Sequence, residues 1–89
     1  MIVGVNRVFP HDGREFHLQA EDLGLAQACF EVRVYDKGSV LWRKRVPYQE
    51  VLEKGLARAD QEESLRALME KTLQTVQAAI AKGKLSASG

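Results

Sequence analysis

The chain has 89 residues, of which 28% are charged and 45% hydrophobic, with a net charge of +1 and one cysteine. That length supports one domain with a modest core, and the balance of apolar and charged residues excludes a disordered or fibrous class. No apolar run approaches the roughly 20 residues of a membrane span. The apolar start Met1 to Val5 passes at once into Asn6 and Arg7, unlike the apolar region of a signal peptide, and Cys29 alone cannot form an internal disulfide. A cytoplasmic location, with no membrane partner, is the expectation.

Ile2 to Phe9 is rich in β-branched residues and reads as a first strand, closed by the turn signal Pro10-His11-Asp12-Gly13. Glu15 to Ala20 alternates, with Phe16, Leu18 and Ala20 on one side and Glu15, His17 and Gln19 on the other, which is a second strand. A four-residue turn over 10–13 sets Val5 opposite Leu18 and Val3 opposite Ala20, with Ile2 and Val8 pointing outward. Glu21 to Gln27 contains Asp22 and Gly24 and lacks a sustained period, so it reads as a loop, with Leu23 or Leu25 closing the end of the core.

Ala28 to Val46 holds two β-rich runs around Asp36-Lys37-Gly38, the pattern of a hairpin. With Gly38 in the left-handed position of a three-residue loop, Tyr35 pairs with Ser39, Val34 with Val40, Val32 with Trp42 and Phe30 with Lys44. Val32, Val34, Val40 and Trp42 then face inward. The outward side carries Arg33, Tyr35, Leu41, Arg43 and Arg45, with Glu31 opposite Arg43.

Pro47 suits a first helical turn, and Tyr48, Val51, Leu52 and Leu56 recur at helical spacing over a short helix of about 48–57. Asp60 with Glu63 reads as a capping box that opens a second, long helix, and Gly83 should stop it. Its stripe is Leu65, Leu68, Met69, Leu73, Val76, Ala79 and Ile80. The fold expected is therefore α+β: a four-stranded antiparallel meander with one face covered by a C-terminal long helix, preceded by a short helix. Residues 1–83 form the single domain and 84–89 a flexible tail.

Charge is unevenly spread. Residues 28–46 hold Arg33, Lys37, Arg43, Lys44 and Arg45 against Glu31 and Asp36, whereas 47–70 hold six acidic residues against Lys54, Arg58 and Arg66. Two candidate surfaces follow. One is the outer sheet face, where Arg33, Tyr35, Leu41, Arg43 and Arg45 suit a protein partner or, as the alternative, the phosphates and bases of a single-stranded nucleic acid. The other is the far end of the long helix. A helix of ~22 residues is about 33 Å long and four strands make a sheet about 19 Å wide, so Val76 and Ile80, rimmed by Gln77, are expected to overhang and to meet a partner or a second copy.

The order β-β-β-β-α resembles in layout the single-stranded-DNA-binding transcriptional coactivators, small dimers with a curved sheet and a C-terminal helix. The resemblance covers element order alone, and the extra short helix departs from it.

Catalytic chemistry finds no foothold in the pattern. His11 and Asp12 adjoin Gly13 and read as turn residues, and His17 with Cys29 lacks an orienting third group. Neither GxGxxG nor GxxxxGK[ST] occurs, and no converging set of metal ligands or cofactor motif is present. A small non-enzymatic interaction module, an adaptor or accessory subunit of a bacterial signalling or regulatory complex, is the functional expectation.

Overall fold

The computed structural model describes residues 4–84. The elements follow the expected order: β1 (Gly4–His11), β2 (Arg14–Asp22), β3 (Cys29–Asp36), β4 (Ser39–Pro47), α1 (Gln49–Glu53) and α2 (Arg58–Ala81). The strands form one antiparallel sheet in the order β1-β2-β3-β4, with the helices on one face. The expected tail over 84–89 and the pairing of Val3 fall almost wholly outside the described residues.

Both hairpins turn through two residues. Asp12 and Gly13 have φ of 54° and 77°, and Lys37 and Gly38 have φ of 55° and 82°. Positive φ at both central positions is the turn whose twist matches that of the flanking strands, so each tight turn replaces the longer loop expected from the sequence. In the first hairpin His11 pairs with Arg14, and Val5 meets Ala20 in place of Leu18. The displacement is two residues, so the faces are kept and Val8 points outward at 52% exposure.

In the second hairpin the tight turn pairs Asp36 with Ser39 and Tyr35 with Val40. Continued without interruption, that register would set Arg33 against Trp42 and turn the indole to solvent. A bulge between Val34/Tyr35 corrects it: Leu41 is the extra residue of β4, and beyond it Val34 pairs with Trp42, Val32 with Lys44 and Phe30 with Val46. Val40 and Leu41 therefore exchange faces relative to the sequence reading. Val40 is 50% exposed on the outer side, while Leu41 and Trp42 pack, partly buried, against the core.

The core lies between sheet and helix. Leu18, Phe30, Val32, Val34, Met69 and Leu73 are fully buried, with Phe16, Ala20, Leu65, Val76 and Ile80 around them. The buried positions of α2 recur at intervals of four, four, three and four, one stripe of a 3.6-residue helix. Asp60 does not cap this helix. The helix begins three residues earlier than such a cap would set, with Ala57 as N-cap and Arg58 as its first residue, and Arg58 Nε lies 3.5 Å from Glu62 Oε1 one turn on. The other end is as expected: Gly83 takes φ 68°, its N–H donates to the Ile80 carbonyl (3.0 Å) and that of Lys84 to the Ala79 carbonyl (2.8 Å), the bonds of a Schellman cap.

The overhang does not occur, because α2 lies along the strands and not across them. Arg7 near the middle of β1 donates to Glu70 Oε1 (3.2 Å) and Gln77 Oε1 (3.5 Å), and the cavity between the first turn and the helix end is lined by both His11 and Ile80. In that direction the sheet is about 28 Å long, at ~3.3 Å per residue, enough to cover the stripe. Val76 is 6% exposed and Ile80 7%. Both are core residues, and Gln77 is a partly buried acceptor for Arg7.

The short helix is tied down by one side chain. Tyr48, at its N-cap, is buried, donates its hydroxyl to Asp22 Oδ1 and its N–H to the Ala28 carbonyl (2.8 Å). It bolts the β4–α1 corner onto the loop of residues 23–28, in which Gly24 N–H also donates to Asp22 Oδ1 (2.9 Å). Burial, and then the bond to the Asp22 carboxylate, hold the Tyr48 phenol protonated well above its ordinary range. No helix among the described residues is long and apolar enough to cross a membrane.

Candidate functional site

The sheet face opposite the helices has nothing packed on it among the described residues, and the strand register arranges its side chains in rows. One row runs Val8, His17, Tyr35, Val40 from β1 to β4. Beside it run Asn6, Gln19, Arg33 and Arg43, and then Gly4, Glu21, Glu31 and Arg45. The first row is apolar and aromatic at positions where a solvated strand usually carries polar groups. Val8 and Val40 at its two ends are, with Leu25, the large hydrophobic side chains most exposed among the described residues.

The charges are ordered around one buried carboxylate. Glu31 is 9% exposed; its Oε2 accepts from Arg33 Nε at 2.7 Å and its Oε1 lies 3.6 Å from Arg45 Nε. The Arg33 hydrogen bond, and behind it the charges of Arg33, Arg45 and Arg43, hold the Glu31 carboxyl below its ordinary 4.5 despite its burial. The same bond holds the Arg33 guanidinium more firmly protonated. Arg45 also reaches Gln27 Oε1 at 3.5 Å. Arg43 makes no ion pair among the described residues and is exposed.

Of the residues expected on this face, Arg33, Tyr35, Arg43 and Arg45 are brought together on it. Leu41 is not: the bulge sends it to the helix side. Val76, Gln77 and Ile80, expected as a helical contact surface, lie within the chain's own packing. His17 pairs with Tyr35 across β2 and β3, whereas Cys29 sits six residues further along β3 opposite Pro47, so the two are about 20 Å apart and share no chemistry. Val40 is the surface residue that sequence reasoning missed. The signal was the dipeptide Lys37-Gly38 read as a two-residue turn, which by parity alone turns Val40 outward.

A cavity of about 550 Å³ opens on the helix side at the first turn, between His11, Arg14, Phe16, Leu41, Ile80 and Lys82. The Arg14 guanidinium lies 5.0 Å over the Phe16 ring and donates to Asp36 Oδ2, while Asp36 Oδ1 is buried with no hydrogen-bond partner. Asp12 lines it beside Arg14 and Lys82, and the Arg14 guanidinium is already engaged by Asp36 outside the lining, so little unpaired charge is left in the cavity to select an ion. Among the described residues no three His, Cys, Asp or Glu side chains converge on one point.

Compared with known proteins, the chain matches no family model, no curated protein and no solved structure. What the geometry defines is a class: an α+β domain with a four-stranded sheet covered on one face and open on the other.

Proposed function

We propose that this chain is a non-enzymatic protein-binding module, an adaptor or accessory subunit, whose docking surface is the open face of the sheet. The observation that carries the reading is the row Val8, Tyr35, Val40, which leaves two exposed valines and a half-buried tyrosine ring on the uncovered face of the sheet. The surrounding Asn6, Gln19, Arg33 and Arg43 supply the polar rim that such a surface uses to fix orientation.

Single-stranded nucleic acid is the second reading, favoured by the direct pairing of His17 with Tyr35, two rings on adjacent strands beside Arg33 and Arg43. It is the weaker one. Glu31 already engages Arg33 and Arg45, which leaves Arg43 as the one outward arginine free for a phosphate among the described residues. One experiment separates the two. The immobilised domain is offered a cell extract, and the retained material is compared with that of the variant Val8→Asp/Tyr35→Ala/Val40→Asp, whose fold is checked by circular dichroism. Protein retained by the parent and lost from the variant supports the proposal. Retention of labelled single-stranded DNA or RNA that falls steeply with salt and with Arg43→Ala assigns the face to nucleic acid instead.

A further inference from the structure

The helix side of the sheet is covered unevenly. α2 packs on β1 and β2, and α1, only five residues long, closes just the Pro47 end of β4. Packed helices lie about 8–10 Å apart and four strands span about 19 Å, so one helical position beside α2 is left over. It is a groove with β4 as its floor and the flank of α2 as its wall. Leu41, Trp42 and Val46 of β4 and Leu68 of α2, all partly buried, line it. At the α1 end it opens into a cavity of about 490 Å³ between Val46, Val51 and Leu68, and at the other end Leu41 stands in the wall of the cavity at the first turn.

The rim of this groove is basic. Lys44 leaves β4 on the helix side, where its cross-strand partner Val32 is buried, and Lys71 follows Leu68 by one helical turn on the same flank of α2. With Lys54 at the α1 end and Glu50 beside it, the groove carries three positive charges less one, or +2. None of these lysines makes an ion pair among the described residues. β4 contains no acidic residue, and the one acidic residue of α2 from Ser64 onward, Glu70, lies on the opposite flank with Arg7.

We infer that this groove takes an amphipathic helix of a partner protein, apolar along one stripe and acidic on its flanks, at a surface separate from the open face. From Leu41 to Val46 at ~3.3 Å per residue, and from Leu68 to Ala79 at ~1.5 Å, both walls are about 17 Å long. That length holds about eleven helical residues, three turns with large apolar side chains at i, i+4 and i+7. Trp42 lies beneath such a helix, and Lys44 and Lys71 on the two rims meet its carboxylates. Thr72 and Ala79 keep the wall low enough for close approach. An extended strand added to the edge of β4 fits less well, because the bulge at Leu41 breaks the even ladder that strand addition needs.

Trp42 is the one tryptophan of the chain and reports on the groove directly. The probe is a synthetic peptide of about twelve residues without tryptophan, with leucine at i, i+4 and i+7 and glutamate on both flanks, set beside the same peptide with lysine in place of glutamate. With the glutamate peptide at up to about 100 μM, Trp42 emission should move to the blue and saturate. The helical circular dichroism of the mixture should exceed the sum of its parts, because a free helix this short is largely unfolded. The lysine peptide should bind about tenfold more weakly or worse. Lys44→Glu/Lys71→Glu, at two exposed side chains outside the core, should reverse that order, and its binding of the lysine peptide shows that the variant is folded. No saturable shift in the parent, or equal binding of the two peptides, overturns the proposal. Undiminished binding of a glutamate peptide with proline at its centre overturns it in favour of an extended chain. Trp42 emission that moves on dilution of the protein alone, with a light-scattering mass above 10.0 kDa, overturns it in favour of a second copy.

Discussion

Glu31 shows how one side chain sets the character of a surface. It stands in a strand whose other outward residues are Cys29, Arg33 and Tyr35, and Arg33 and Arg45 close over it so that only 9% of the residue remains exposed. A carboxyl whose folded pKa is depressed contributes stability above its unfolded value, here near 4.5, and loses that contribution as pH falls through the lower folded value. Glu31→Gln should therefore cost about 1 kcal/mol near pH 7, the scale of a charge-assisted bond whose arginines remain partly solvated. Urea denaturation of both proteins near pH 7 and near pH 2.5 checks this. The gap between their midpoints should close at the acid end, and a gap that persists there would assign the cost to packing and not to charge.

At the scale of elements, what was legible and what was not divides along a physical line. Alternation of apolar residues located all four strands, and the i, i+3, i+4 stripe located α2, because both periods are imposed by burial over many residues at once. Turns are set by two residues, and here the tight turns at Asp12-Gly13 and Lys37-Gly38 displaced each hairpin from the register that longer loops imply. In the first hairpin the displacement was even and harmless. In the second it was odd, and only the extra residue at Leu41 returns Trp42 to the helix side. The candidate surface inherited that error, with Leu41 placed on a face that in fact carries Val40. The pair gives a direct test. Val40→Thr should change stability by no more than about 0.5 kcal/mol, and Leu41→Ala should cost about 1–2 kcal/mol, read as shifts in melting temperature. The opposite order of effects would restore the three-residue loop.

At the scale of the whole molecule, the direction of α2 is what pattern alone could not supply, since a helical stripe specifies which side is buried and not the angle at which it crosses a sheet. Laid across four strands the helix would overhang; laid along them, its 24 residues, about 36 Å at ~1.5 Å per residue, fit within the longest dimension of a molecule that measures 43 × 20 × 19 Å. Two contacts fix the choice: Arg7 to Glu70 and Gln77 midway, and Ile80 beside Phe16 and Leu41 around one cavity at the turn end. Val76 and Ile80 thus close the core where the first hairpin ends. At Val76 a carboxylate would be buried in the core, which costs several kcal/mol unless the chain opens, while at Ile80 it would replace an apolar contact with Phe16 and Leu41 at the wall of the cavity. A domain of this length has roughly 5–10 kcal/mol of stability in all. Val76→Asp/Ile80→Asp should therefore abolish the cooperative unfolding transition and the fixed environment of Trp42 seen by near-ultraviolet circular dichroism. A double variant that stays folded, with an unchanged transition, would place both side chains in solvent and turn the helix across the sheet.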